Sequence, residues 1–290
     1  MRIGFIGLGK MGAPMARRRR GAGHAVTGYD AAGVEVEGAA AARSAADAAA
    51  GSDAVVTMLP DGAILARVYA EAVPAGRPGA LFIDCSTVDV ASARAAAAQA
   101  TAAGLLAVDA PVSGGVAGAA AGTLTFMAGG TAEAFAAAGP LFAALGTRAV
   151  HCGASGAGQA AKICNNLILG VSMIGVCEAF ALAEKLGLDP HALYDVVSTS
   201  SGNCWSVTSY CPVPGVGPTS PADHGYEPGF TADLMLKDLD LAREAAATVD
   251  AATPLGGHAA ALFAAFVATG GRGRDFSAMF PWIVERGHGL

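Results

Sequence analysis

Lysine is scarce in this chain. There are four, Lys10, Lys162, Lys185 and Lys237, against fourteen arginines. Charge of either sign is also sparse, at 14% of residues, and the net charge is −6. That balance argues against nucleic acid or an anionic membrane surface as partner, because both demand clustered positive charge. There is no Cys-x-x-Cys. The six cysteines, at 85, 152, 164, 177, 204 and 211, stand apart, and no cysteine–histidine spacing fits a zinc site, so no metal is expected. Such cysteines suit a reducing cytoplasm. No signal-type segment is read ahead of the first apolar run, "RIGFIGLG" from residue 2.

Apolar residues are abundant, at 53%, enough for a sizeable core and against disorder. With 290 residues, two domains are expected. The first half alternates short apolar runs with alanine-rich stretches. Candidate strands are 2–7, 25–30, 54–59, 80–86, 106–111, 124–130 and 148–153. Continuous apolar strands alternating with helices predict a parallel sheet covered on both faces, an α/β domain over 1–158. From 159 the pattern changes. "QAAKICNNLILGVSMIGVCEAFALAEKLG" (159–187) has no proline or turn cluster and is apolar almost all round. It predicts one helix of about 43 Å, buried against more than one neighbour. Its run near 163–183 contains Asn165, Asn166 and Glu178, which favours a core helix over a membrane span. Further helices are expected at 190–199, 230–249 and 254–269, so 159–290 reads as an all-helical second domain. Between them, 201–229 is rich in Gly, Pro, Ser and aromatics, and a long irregular stretch of that kind is often functional.

"GLGKMG" places Gly7, Gly9 and Gly12 in G-x-G-x-x-G spacing, directly after a strand and at the opening of a helix, with Leu8, Lys10 and Met11 between them. The first glycine allows a tight turn, the second lets a pyrophosphate approach the backbone, and the third permits close helix–strand packing. The helix start adds amide donors for phosphate. Asp30 ends the second strand and would accept hydrogen bonds from ribose hydroxyls. Its charge would repel a 2′-phosphate, and residues 31–34 are Ala-Ala-Gly-Val, with no arginine to hold one. The cofactor expected is therefore NAD rather than NADP. The arginine run Arg17–Arg20 lies at the far end of this helix and reads as a solvated helix end.

These residues and several further motifs resemble one family. "FIGLGKMGAPMA", "TMLP" (57–60), "DCST" (84–87), "DAPVSGG" (109–115), "GAGQAAKICNN" (156–166), "CW" (204–205), "PVPG" (212–215) and "LMLKDL" (234–239) look like 3-hydroxyisobutyrate dehydrogenase, one of the β-hydroxyacid dehydrogenases. The resemblance runs from residue 2 to about 280. It implies an N-terminal Rossmann domain, a long inter-domain helix and a helical domain that mediates oligomerisation; the apolar long helix and helical second half suggest a homodimer or homotetramer. It also implies NAD-dependent oxidation of 3-hydroxyisobutyrate to methylmalonate semialdehyde in valine breakdown. Arg18, Arg19 and Arg20 depart from the family, which usually has Asn followed by apolar residues there. So does Ile64, where relatives often carry a polar residue near the cofactor.

Alcohol oxidation needs a hydride acceptor, which a nicotinamide supplies, and a proton acceptor, which the protein supplies. Lys162, at the head of the long helix, suits the second task. Burial and an oxidised nicotinamide would both disfavour its protonated form. Asn166 is four residues on and shares its helical face, whereas Asn165 is less well placed. The bland alternative is a lysine snorkelling from a helix end. The six histidines, at 24, 151, 191, 224, 258 and 288, are dispersed, and only His151 competes as base. Ser113, with the amides of Gly114 and Gly115, follows a strand end and could bind a carboxylate, though an ordinary turn would look the same. Met58, Leu59 and Pro60 close the third strand beside the expected cofactor cleft. The resemblance sets Leu59, Pro60 and Thr87 against the cofactor and gives Lys237 a cofactor contact. Read without it, Lys237 is a surface lysine paired with Asp233 or Asp240. Trp205, Tyr210 and the "PVPG" stretch either wall the substrate pocket or form a rigid surface loop. Two other functions stay open: a related enzyme acting on tartronate semialdehyde or another small 3-hydroxy acid, and a non-catalytic dinucleotide-binding scaffold.

Overall fold

A computed structural model describes residues 1–286. His288 and the last residues of the expected 159–290 domain lie outside the described residues. The chain divides into two compact units, Met1–Lys162 and Ile163–Leu290. The division falls inside the long helix, four residues later than the 158/159 boundary read from the sequence.

The first unit starts with β1 (Arg2–Ile6), α1 (Gly12–Gly21), β2 (Ala25–Tyr29), a short β3 (Ala40–Ala41), α2 (Ala45–Ala49), β4 (Ala54–Thr57), α3 (Gly62–Ala72), β5 (Leu81–Asp84), α4 (Val90–Ala102) and β6 (Leu106–Asp109). It continues with β7 (Val112–Ser113), α5 (Gly115–Ala121), β8 (Leu124–Gly130), α6 (Ala132–Ala143) and β9 (Gly146–Gly153). One sheet runs β3-β2-β1-β4-β5-β6-β8-β7, and β9 pairs with β8. Successive side chains alternate faces. Ala54, Val56, Leu81 and Ile83 enter one core with α1, α5 and α6, while Val55 and Phe82 enter the other with α2, α3 and α4. Burying a side chain such as Phe82 stabilises by about 1.5–3 kcal/mol. The helices are capped locally: Ser44, Asp61, Asp89 and Thr131 each accept a first-turn amide of α2, α3, α4 and α6.

Two expectations need correction here. The sheet is not parallel throughout: it is parallel from β3 to β6 and again between β8 and β9, but β8 runs antiparallel to both β6 and β7. The connection after β6, 110–123, makes the two-residue β7 and the short helix α5, and then returns in the opposite direction to pair with both β6 and β7. The arginine run is not wholly solvated. Arg19 lies four residues after Met15 and three after Ala16, on the inward face of α1, and is 1% exposed. One guanidinium nitrogen donates to the Leu141 carbonyl, and its Nε and Nη1 have no hydrogen-bond partner among the described residues. Burial draws its pKa down to about 10.

Register aligns a polar row across three neighbouring strand ends. Thr57 pairs with Asp84, and Asp84 with Asp109.

The helix α7 (Ala157–Lys185) is 29 residues long. In the second unit it is followed by α8 (Pro190–Thr199), a four-residue α9 (Trp205–Thr208), α10 (Ala232–Thr248), α11 (Pro254–Phe266) and α12 (Met279–Arg286). Met173, Ile174 and Cys177 of α7 join Met235 and Leu239 of α10 and Phe263 and Phe266 of α11 in one core. A second cluster gathers Val176 and Phe180 with Val207, Val213 and Val216 of the irregular stretch. The expected all-round burial of α7 is not met within this chain, because Ile168 and Leu182 are exposed. By length and composition alone α7 could cross a membrane. Yet its polar residues Gln159, Lys162 and Asn166 are buried in the fold.

Candidate functional site

The turn after β1 is built by closely packed glycines. Gly7 has φ +91°, which L side chains rarely adopt, and a Cβ there would lie 2.3 Å from the Met58 carbonyl oxygen. A Cβ on Gly12 would lie 1.9 Å from the Gly7 oxygen, so α1 reaches this strand end only through glycine. At Gly9 a Cβ would meet nothing within 4 Å. The backbone is thus open where a phosphate would approach, and the first turn of α1 carries no acidic residue to repel one. Those three environments fit a pyrophosphate.

Asp30 Oδ2 accepts the Leu8 amide at 2.7 Å and Oδ1 accepts the Ala32 amide at 2.8 Å. Each carboxylate oxygen keeps a further lone pair, and Asp30 lines a cleft with Leu8, Val34 and Glu35. The Leu8 side chain is buried in the core, whereas Lys10 is exposed and Met11 half-buried at the mouth of the turn. Met58 and Leu59 are half-buried after β4, and Pro60 is exposed. Ile64 is half-buried in the first turn of α3, its amide donating to the Asp61 cap.

Behind this turn lies a buried polar network. Thr57 Oγ1 donates to Asp84 Oδ1 at 2.7 Å, and Ser86 Oγ donates to the same oxygen at 2.5 Å. Ser86 Oγ accepts the Leu59 amide at 2.8 Å. Burial pushes the Asp84 carboxyl up to about 6, against the pull of those hydroxyls. Asp109 is also pushed up to about 6 by burial, although it accepts the amides of Gly156 and Gln159 at the start of α7. Thr87, between Ser86 and Val88, is half-buried. Ser113 is half-buried and Gly114 exposed. Gly114 (φ +126°) and Gly115 (φ +61°) carry the chain into α5. Lys162 is buried, at 8% exposure. His151, the competing base, stacks on Phe135 and pairs its Nε2 with the Gly130 carbonyl at 2.9 Å.

In the second unit, Asn166 is 1% exposed. Its Nδ2 donates to Asp238 Oδ2, and its Oδ1 accepts from Asn165 Nδ2 at 3.0 Å. Asp238 also pairs with Lys237, Nζ to Oδ1 at 3.2 Å. Of the acidic residues considered for Lys237, Asp233 pairs with Arg272 and Asp240 with Arg243. Trp205, half exposed, stacks on Tyr210 with ring centroids 4.8 Å apart. The Tyr210 hydroxyl donates to Asp275 Oδ2 at 2.9 Å, and burial followed by that carboxylate holds the phenol well above its usual range. Among the described residues no group of three His, Cys, Asp or Glu could hold a metal ion.

Asp84, Asp109, Gln159 and Asp238 were not picked out from the sequence. A signal existed for Asp238: it sits three residues after Met235 and four before Ala242, on the buried stripe of α10. A carboxylate at such a position needs partners.

Known proteins show the same arrangement of parts. A family profile described as the NAD binding domain of 6-phosphogluconate dehydrogenase matches residues 2–153. Another, described as NAD-binding of NADP-dependent 3-hydroxyisobutyrate dehydrogenase, matches 156–283. A probable 3-hydroxyisobutyrate dehydrogenase of Mycobacterium tuberculosis is 50% identical, covering 98% of each chain. An NAD-dependent L-serine dehydrogenase of Pseudomonas aeruginosa is 46% identical, covering 96% of each. The solved structure of Mycobacterium tuberculosis 3-hydroxyisobutyrate dehydrogenase with L-serine superposes with a TM-score of 0.92 at 49% identity, covering 97% of this chain and 98% of that one.

Proposed function

The chain belongs to the 3-hydroxyisobutyrate dehydrogenase family of hydroxyacid oxidoreductases, which use a nicotinamide dinucleotide, and from that premise we propose that it oxidises 3-hydroxyisobutyrate to methylmalonate semialdehyde with NAD. The observation that carries this reading is the pair of buried polar residues one turn apart on α7, Lys162 and Asn166. The bound cofactor supplies the hydride acceptor. Lys162 takes the proton from the substrate hydroxyl, and returns it when the reaction runs towards reduction. Asn166, its amide fixed by Asn165 and Asp238, holds that hydroxyl. Ser113 with the amides of Gly114 and Gly115 binds the substrate carboxylate.

On the cofactor side, the backbone of Gly7–Gly12 and the start of α1 take the pyrophosphate, and Asp30 takes the ribose hydroxyls. Leu59, Pro60 and Thr87 line the dinucleotide and Lys237 touches it. Asp30 and Glu35 in one cleft disfavour a 2′-phosphate, so NAD is preferred although one matching profile is described for an NADP-dependent enzyme. The protein is proposed to be cytoplasmic and a homodimer or homotetramer. Exposed Ile168 and Leu182 on α7 favour association, and light scattering of the purified protein measures it.

L-serine oxidation is the second reading, because a relative at 46% identity is named for it. Initial rates with 3-hydroxyisobutyrate, L-serine and glycerate, each with NAD and NADP, separate the readings. The highest kcat/KM is expected for 3-hydroxyisobutyrate with NAD. A higher value for L-serine installs the second reading. Preference for glycerate points to a tartronate semialdehyde reductase, and no NADH formation with any of them to a binding scaffold.

A further inference from the structure

Gln159 is fully buried in the first turn of α7, three residues before Lys162. Its side-chain amide makes two bonds that straddle Thr87. Nε2 donates to the Ser86 carbonyl at 2.8 Å, and Oε1 accepts the Val88 amide at 3.1 Å. Its own backbone amide donates to Asp109 Oδ2 at 3.0 Å, and Asp109 Oδ1 accepts the Gly156 amide at 2.7 Å. The helix start is therefore held to the end of β6, and the turn after β5 is held to the helix. Ser86 extends the chain of bonds to the Leu59 amide.

Few side chains can do this. The berth needs a donor and an acceptor side by side at the end of a flexible arm, which a primary amide provides. Methionine has similar length but would leave the Ser86 carbonyl and Val88 amide without their buried side-chain partner, which is costly. Ionised glutamate would set an oxygen against the Ser86 carbonyl, whereas protonated glutamate would restore the donor. The groups around that position are Asp84 from β5, Asp109 from β6, Arg94 from α4, whose Nε reaches the Ser155 carbonyl at 3.4 Å, and Lys162 one turn along α7. Burial would keep such a glutamate protonated at mildly acidic pH, and the two carboxylates, once ionised above about 6, would oppose its charge further.

We propose that Gln159 is a positioning residue that locks the Ser86–Val88 turn to the first turn of α7, so that Thr87 and Lys162 keep a fixed register. This rests on the reading that Thr87 meets the dinucleotide and Lys162 moves the proton. The lock acts on both, although Gln159 touches neither substrate nor cofactor in this role.

The full-length variants Gln159→Met and Gln159→Glu test it. NADH affinity is measured by fluorescence titration, and kcat and KM by turnover of 3-hydroxyisobutyrate, each as a ratio to the unaltered protein at the same pH. Gln159→Met is expected to weaken NADH binding about fivefold and lower kcat about tenfold at every pH, with KM within about threefold. Gln159→Glu is expected to match those losses near pH 8.5 and to recover at least about threefold in both ratios near pH 5.5. Affinity within about twofold of the unaltered protein in both variants overturns the proposal. So does a Gln159→Glu affinity ratio that stays flat with pH, or one that merely follows the thermal midpoint of the cofactor-free variant. Lys162→Ala is run alongside. Turnover retained in Lys162→Ala sinks the proton-transfer reading and leaves the NADH-affinity arm standing, whereas flat ratios sink the lock alone.

Discussion

Asn166 and Asp238 are 72 positions apart, and their side chains are hydrogen-bonded inside the helical unit. Asp238 is 3% exposed and shares its charge with Lys237. Replacing it with alanine removes the acceptor of the Asn166 amide and a counter-charge near Lys237 together. Asp238→Ala is expected to destabilise the helical unit by about 3 kcal/mol and to lower kcat/KM about 10- to 100-fold. Asp238→Asn keeps an acceptor for Asn166 and is expected to lose less of both. Urea unfolding and steady-state kinetics check the order of the two variants. Equal losses would separate Asn166 from Asp238.

Lys162→Ala is expected to abolish turnover while NADH still binds. Lys162→Arg is expected to be as inactive, because a guanidinium does not give up its proton near neutral pH. Near-normal turnover in either variant would end the proton-transfer role. Fluorescence titration of NADH in the same samples reports whether the cofactor site survives.

Asp84 and Asp109 give the first unit a pH-dependent stability. Both carboxyls lie at about 6 in the fold, above 3.8, so the folded state binds their protons more tightly than the unfolded state. The stabilisation is full below 3.8 and is lost as pH rises through about 6. Per carboxyl the swing is on the order of 2–3 kcal/mol. The thermal midpoint of the cofactor-free protein is expected to fall between about pH 4.5 and pH 7, and Asp84→Asn to remove about half of that slope. Asp47, Asp53 and Asp223 shift the opposite way, through bonds to backbone amides, and their contribution is lost only as pH falls below the ordinary carboxylate range. An unchanged slope in Asp84→Asn would refute the assignment.

Arg19 is a buried charge without a carboxylate partner among the described ion pairs. Removing such a charge in favour of an apolar side chain of similar reach commonly stabilises by about 1–4 kcal/mol. Arg19→Met is expected to raise the urea midpoint of the first unit without altering NADH affinity. A lower midpoint would mean that the bond to the Leu141 carbonyl outweighs the desolvation of the guanidinium.

The framework of both units was legible in the sequence because its signals are local: apolar runs bounded by turns, a glycine spacing after a strand, and a helical segment without breakers. The limits of α7 differ from the reading by two residues at each end. What escaped depends on distant partners. Ala40 and Ala41 carry no strand preference, and β2 alone makes them a strand. The reversal of β8 is decided by pairing with β6 and β7. α12 is short and holds Pro281 near its start, so its pattern was too brief to read, although Trp282 packs in the core. At the site, Lys162, Asn166 and the glycine turn stood out by residue type and spacing. Gln159 did not, because nothing local shows that residues 86 and 88 flank its amide.

The row Thr57–Asp84–Asp109 has a consequence for how the sheet is assembled. A slip of β5 by one residue would turn Asp84 to the opposite face. A slip by two would carry it away from Thr57. Either way Asp84 would lose the Thr57 hydroxyl and keep only the local bonds from Ser86. Misaligned sheets are thus penalised at the one level where apolar strands cannot tell right from wrong, and the polar row serves the chain as an alignment mark before any ligand arrives.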